Sequence, residues 1–148
     1  MTRTMTGGCQ CGRVRYRVEV ADDEAYLCHC RMCQRATGGV AAALKQVPRA
    51  AVTWLGAEPD RYASSPIARR GFCAACGTPL TYEGNASDGL DLTVGSFDDP
   101  STLRPVSHSG VESRHPAWLD TRALPAVRTQ DLPHIVRQWK DAGGELPD

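Results

Sequence analysis

The sequence predicts a small, mainly β domain organised around metal-binding cysteines. Three observations predict it. Apolar and polar residues alternate with period two in several short runs. Turn-forming residues recur throughout, with 14 glycines and 10 prolines among 148 residues. Seven cysteines fall into three tight clusters: Cys9-Gln10-Cys11, Cys28-His29-Cys30-Arg31-Met32-Cys33 and Cys73-Ala74-Ala75-Cys76. A chain of this length suits one domain with a modest core, to which metal sites can add stability.

The elements follow in order. Arg13–Val20 alternates without a break, Val14, Tyr16, Val18 and Val20 on one side and Arg13, Arg15, Arg17 and Glu19 on the other, which predicts a half-buried strand. Ala21–Glu24 is a polar turn, after which Tyr26 and Leu27 lead into the central cysteines. Gln34–Thr37 suits a short helical turn ended by Gly38-Gly39. Val40–Val47 reads as a strand, its alanines keeping helix open, and Val52–Leu55 as another. Residues 57–66, with Pro59 and Pro66, read as loop. Ile67–Phe72 leads into the third cluster and Leu80–Glu83 leaves it as a strand. The turn at 84–89 precedes an alternating run, Leu90–Val94, and Asp98-Asp99-Pro100 marks a further turn. One helix is clear: Asp131 as cap, Pro133 in the first turn, and Leu132, Ile135, Val136 and Trp139 as one apolar stripe, expected to pack onto the sheet.

Charge and hydropathy narrow the function. Lysine plus arginine number 17, as do aspartate plus glutamate, so no single-sign field exists to attract nucleic acid or an acidic membrane. No run approaches the roughly 18 apolar residues of a transmembrane helix. Met1–Gly8 has no apolar core of a signal peptide, and a cytoplasmic location is expected. Structural disulfides are disfavoured there, so clustered cysteines point to metal or redox chemistry, and an odd number argues against complete pairing.

The clusters divide into four plus three. Cys73-x-x-Cys76-Gly77 and Cys9-x-Cys11-Gly12 each end in Cys-Gly, which allows a tight turn with amides near the sulfurs. Paired, they close a tetrahedral zinc site, although spacing alone leaves other pairings open. Cys28, Cys30 and Cys33 lie within six residues, so one loop can supply three corners of a tetrahedron. His29 is flanked by ligands on both sides and is expected to point away. Zinc with three thiolates bears a formal charge of −1, a poor activator of water but a suitable holder of a soft exogenous thiolate. A thiol held there becomes a positioned nucleophile for an electrophilic carbonyl such as formaldehyde. Arg31 and Arg35 are candidates to offset that negative charge or to hold a substrate carboxylate. His108, His115 and Asp98-Asp99 are weaker candidates for acid–base or hydrogen-bonding roles near the open corner.

At these residues the chain resembles the glutathione-dependent formaldehyde-activating enzyme family, which also includes centromere protein V. The resemblance rests on Gly8-Cys9-Gln10-Cys11-Gly12, Val14-Arg15-Tyr16, Cys28–Gly38 and Phe72–Gly77, with later echoes at Gly95–Pro100 and His108–Trp118. It implies a β-tent fold of several small antiparallel sheets and covers a core at about 5–125; the helix read at about 131–141 is then a tail within one domain over 1–148. It also implies a structural zinc on Cys9, Cys11, Cys73 and Cys76 and a catalytic zinc on Cys28, Cys30 and Cys33, two per chain. The activity implied is a carbon–sulfur lyase reaction that joins glutathione and formaldehyde as S-hydroxymethylglutathione, and glutathione's carboxylates would want basic partners, for which Arg31, Arg35, Arg69, Arg70 and Arg114 are candidates. Two other readings compete: a zinc-stabilised binding module, whose best candidate patch is Arg13, Arg15 and Arg17, and a thiol redox sensor.

Overall fold

A computed structural model describes residues 1–147. Ten strands and two helices follow in order: β1 (Arg3–Gly8), β2 (Arg15–Val20), β3 (Glu24–Cys28), α1 (Arg31–Thr37), β4 (Ala42–Pro48), β5 (Val52–Trp54), β6 (Asp60–Ser65), β7 (Ala68–Phe72), β8 (Pro79–Gly84), β9 (Gly89–Thr93), β10 (Arg104–Ser109) and α2 (Pro133–Asp141). The protein is mainly β, as the alternation implies. Two compact units divide the chain, Met1–His115 and Pro116–Asp148.

The first unit holds two sheets. One has three strands in the order β1-β2-β5; the other has seven, β10-β3-β4-β9-β8-β7-β6. All pairs are antiparallel except β10 with β3. The alternation over Arg13–Val20 has its expected result: Val14, Tyr16, Val18 and Val20 are buried. Tyr16, Val18 and Val20 meet Val47, Leu90, Leu92 and Phe97 in the main core. Burial of each such valine or leucine contributes about 1.5–3 kcal/mol. Tyr16 packs edge-on against Trp54 and Phe97, with ring centroids 5.8 and 5.7 Å away, and its buried hydroxyl shares a 2.8 Å hydrogen bond with Ser96.

Several elements differ from the sequence expectation. Residues 57–66 contain a strand, β6, despite their prolines, because Pro59 and Pro66 flank Asp60–Ser65 rather than interrupt it. Helix α1 starts at Arg31 rather than Gln34, since the Cys30 sulfur caps it by accepting from the Cys33 amide. Strands β1 and β10 lack strong alternation and exist by pairing with β2 and β3.

In the second unit α2 begins one residue after Leu132, with Pro133 in its first turn as expected. Asp131 falls in the preceding 3-10 turn and makes no capping bond. Leu132, Ile135 and Val136 are half-buried and Trp139 is exposed. Among the described residues no helix is long and apolar enough to cross a membrane.

Candidate metal centres

The ends of hairpins bring the first and third cysteine clusters together. The chain leaves β1 into Cys9 and turns back so that the Cys9 amide donates to Val14 O at 2.9 Å and the Gly12 amide to Cys9 O at 3.1 Å. It leaves β7 into Cys73 and forms a knuckle closed by Cys73 N to Thr78 O (3.0 Å) and Gly77 N to Cys73 O (2.7 Å). Gly12 and Gly77 take φ of 81° and 79°, the left-handed region that Cys-Gly sequences exploit. Gln10 N donates to Thr78 Oγ1 at 3.1 Å and so ties one turn to the other.

The sulfurs of Cys9, Cys11, Cys73 and Cys76 all lie within 4.8 Å of one another. Cys9 to Cys11 is 3.5 Å and Cys11 to Cys73 is 3.8 Å. A tetrahedron with metal–sulfur bonds of about 2.3 Å has edges of about 3.8 Å, so the donor set fits zinc. Protein donors converge on the same sulfurs: Val14 N on Cys9 at 3.2 Å, Arg13 on Cys73 at 3.9 Å, and Thr78 Oγ1 against Cys76 at 3.2 Å. Thr78, through its hydroxyl and its amide, holds the Cys76 thiol down at about 5. The Arg13 amide favours the Cys11 thiolate, but Cys9, burial and the other thiols outweigh it and push Cys11 up to about 11.

The central cluster forms where β3 ends and α1 begins. Cys28, Cys30 and Cys33 also bring three sulfurs within 4.8 Å, and among the described residues no fourth histidine, cysteine, aspartate or glutamate joins the group. Cys33 is buried, while Cys28 and Cys30 are half-buried. All seven cysteines are free of disulfide bonds. His29 faces elsewhere, as its position between Cys28 and Cys30 suggests. It is buried, and its Nε2 lies 2.8 Å from His108 Nδ1, one nitrogen donating and the other accepting. Burial first, and the neighbouring His108 second, push its pKa down.

The loop is held from three directions. His29 N donates to Ser109 O at 2.8 Å, an extension of the parallel β3–β10 pairing. Buried Gln34 donates from Nε2 to His29 O (2.7 Å) and to Ser113 O (3.0 Å). Gly110 packs against Cys30 so closely that a Cβ there would sit 2.7 Å from Cys30 N. From β7, Arg70 reaches in and its Nη2 donates to Cys33 Sγ at 3.3 Å. Burial pushes the Cys33 thiol up to about 12, and the thiols of Cys28 and Cys30 add to this against the pull of Arg70. Burial would also raise Cys30, but the amides of Cys33 and Met32 and the neighbouring thiols bring it down instead.

Sequence reasoning did not single out Gln34 or Gly110, and Arg70 was one arginine among five. Only Gln34, directly after Cys33, had a local signal: a long amide one step along the helix from a cysteine of the cluster. Among the other candidates, Arg69 pairs with Glu83 at 3.3 Å, Arg31 bonds Gln34, and Asp98 is taken up by Arg15 and Thr6. His115 is exposed.

Residues 4–113 match the sequence profile of the glutathione-dependent formaldehyde-activating enzymes, well over half the chain. The chain belongs to that family. No curated protein matches it. A Rhodobacter sphaeroides protein of known crystal structure is similar in fold, with a TM-score of 0.58 and 24% identity over 71% of this chain and 100% of the other. In this member of the formaldehyde-activating family, both cysteine groups and the amides around their sulfurs lie in the first compact unit.

Proposed function

We propose that the protein is a zinc-dependent carbon–sulfur lyase that joins a thiol, in the first instance glutathione, to formaldehyde or a related small aldehyde. In this reading Cys9, Cys11, Cys73 and Cys76 hold a structural zinc, and Cys28, Cys30 and Cys33 hold the catalytic one. The observation that carries it is the three-sulfur group, to which no fourth donor among the described residues belongs. Zinc bound there supplies an open coordination position that favours the deprotonated form of an incoming thiol.

The chain's own residues do the rest. Arg70 donates to Cys33 and offsets negative charge at the three sulfurs. The amide of Cys33 does the same for Cys30. Gln34, His29 and Gly110 fix the loop, so that the open corner is presented in one geometry. In the reaction a bond forms between the thiol sulfur and the carbonyl carbon. The carbonyl π pair moves to oxygen, and the proton lost by the thiol ends there. The sum is thiol plus aldehyde to hemithioacetal, with no change of oxidation state. Family membership supports glutathione and formaldehyde as the reactants, and the charge balance of the chain accords with a small-molecule enzyme more than with a nucleic-acid or membrane binder.

Metal counting by mass spectrometry, together with exchange NMR of the glutathione–formaldehyde adduct, tests this. Wild-type protein should carry two zincs per chain and accelerate adduct exchange. Cys33→Ser should keep about one and lose the acceleration. A Cys33→Ser protein with two zincs and undiminished rate defeats the reading.

A further inference from the structure

Arg70 is the one buried arginine among the described residues. The arginines at 13, 15, 49, 61 and 69 each meet a carboxylate, Asp60, Asp98 or Glu83. Arg70 meets none. One guanidinium nitrogen is spent on Cys33 Sγ, the group lies over the Tyr82 ring at 4.9 Å, and Nε is buried without a partner. The buried carboxylate of Asp91 lies two strands away in the sheet. It accepts from Tyr26 at 2.9 Å and forms no ion pair with Arg70. The Cys33 sulfur and, at longer range, Asp91 offset part of its charge, but a buried guanidinium whose Nε has no partner still carries an unmet desolvation cost that a bound anion relieves.

A cavity adjoins it. Between α1 and strands β6 and β7 lies a space of about 220 Å³ lined by Met32, Arg35, Ala36, Tyr62, Ser64 and Arg70. A narrower space of about 30 Å³ shares Ala36, Tyr62 and Arg70 with it and continues to Leu44 and Thr81. None of the lining residues is acidic and two are arginine. The larger space is smaller than the roughly 300 Å³ at which whole-ligand pockets begin, and suits one end of a molecule.

We propose that this cavity is a carboxylate subsite for the thiol substrate, with buried Arg70 at its inner end and exposed Arg35 at its mouth. The inference rests on the thiol-binding reading above and extends it. Arg70 touches a sulfur of the three-cysteine group, so a thiol whose sulfur occupies the open corner can place its own carboxylate beside Arg70. Guanidinium groups match carboxylates through paired N–H donors, and two of them on one cavity select against thiols that lack the charge. The subsite makes the enzyme specific for an acidic thiol carrier rather than for thiols at large.

Cobalt-loaded protein provides the test, because thiol binding to the metal is read directly from its absorption spectrum. The probes are glutathione, its glycyl ethyl ester, cysteinylglycine and 2-mercaptoethanol, each titrated into wild type, Arg35→Gln and Arg70→Lys. Wild type should bind glutathione at least about tenfold more tightly than 2-mercaptoethanol. In Arg35→Gln, and in Arg70→Lys where the charge remains but the fork is lost, that ratio should fall about fivefold or more. Loss of the preference in the ethyl ester assigns the cavity to the glycyl carboxylate. Its loss in cysteinylglycine alone assigns it to the γ-glutamyl end; either supports the subsite. Equal affinities for all four thiols in wild type, or variants that weaken every thiol by one common factor, overturn the subsite while leaving the open metal intact. Absence of any spectral response to any thiol overturns the open-metal reading and the subsite with it.

Discussion

Cys33 illustrates how much a single side chain depends on its surroundings. Its thiol is buried, pushed up to about 12, capped by Arg70 and carried on the first turn of a short helix. Such a thiol keeps its proton at neutral pH and gives it up to a metal. Gly110 matters for the opposite reason, that it has no side chain. With φ of 63° and Cys30 N only 2.7 Å from a would-be Cβ, Gly110→Ala should displace the Cys28–Cys33 loop. We expect the four-cysteine zinc to stay and the three-cysteine zinc to bind at least tenfold more weakly, about 1.4 kcal/mol, measured by chelator competition. Retention of both metals with wild-type affinity would show that the loop can shift at no cost. Tyr16 offers a control remote from the sulfurs of the open site. Tyr16→Phe removes the 2.8 Å bond to Ser96 and should cost about 1 kcal/mol in denaturant unfolding, with metal content unchanged.

At the scale of elements, Glu83 ties together the far end of the large sheet. It is 1% exposed on β8 and receives Arg61 from β6 at 2.8 Å, Arg69 from β7 at 3.3 Å, and Arg49 from the turn after β4. Burial alone would raise its pKa; the arginines, Arg61 foremost, bring it below its ordinary value instead. A carboxylate whose folded pKa is depressed adds stability above its unfolded pKa of about 4.3 and loses it as pH falls through the folded value. Wild-type Tm should therefore drop below about pH 4.3, and Glu83→Gln should flatten that part of the profile. At neutral pH Glu83→Gln leaves three arginines facing an amide and should destabilise by about 3 kcal/mol. An unchanged acid limb in the variant would mean that other carboxylates control acid unfolding. The same elements explain where local reading succeeded. The run at Arg13–Val20 is its own evidence, because period-two alternation is imposed by one buried face. Strands β1, β6 and β10 carry no such imprint. Arg3–Gly8 is mostly exposed, Asp60–Ser65 lies at a sheet edge between prolines, and Arg104–Ser109 is exposed throughout.

On the scale of the whole molecule, the four-cysteine group joins residue 9 to residue 76 and so connects the first hairpin to the end of the large sheet. Structural zinc contributes on the order of 10 kcal/mol of apparent folding free energy in small peptides. Cys76→Ser should therefore lower Tm far more than Cys33→Ser, by tens of degrees rather than a few. Equal shifts would assign the structural role to the wrong cluster. Both groups lie in Met1–His115, the unit that also contains the family match. A chain ended after His115 should fold and bind two zincs, as judged by circular dichroism and metal counting. Failure to fold would show that residues 116–148 complete the core.

The order and spacing of seven cysteines, with glycines after Cys11 and Cys76, suggested a division into four and three and carried the family resemblance, but which clusters pair was open until the fold brought the sulfurs of Cys9, Cys11, Cys73 and Cys76 together. Ligands in short loops carry their geometry in local spacing, and the turns need particular residues. Alternation likewise announced the strands that bury one face. What lies around the open group could not be read locally. Arg70 is 37 residues from Cys33, His108 is 79 from His29, and Ser113 is 79 from Gln34. Only the pairing of β3 with β10, and the sheet that carries β7 to α1, decide that these meet. Contacts across a sheet depend on strand order and register, and a side chain that completes a site from a distant strand leaves no periodic trace in its own segment.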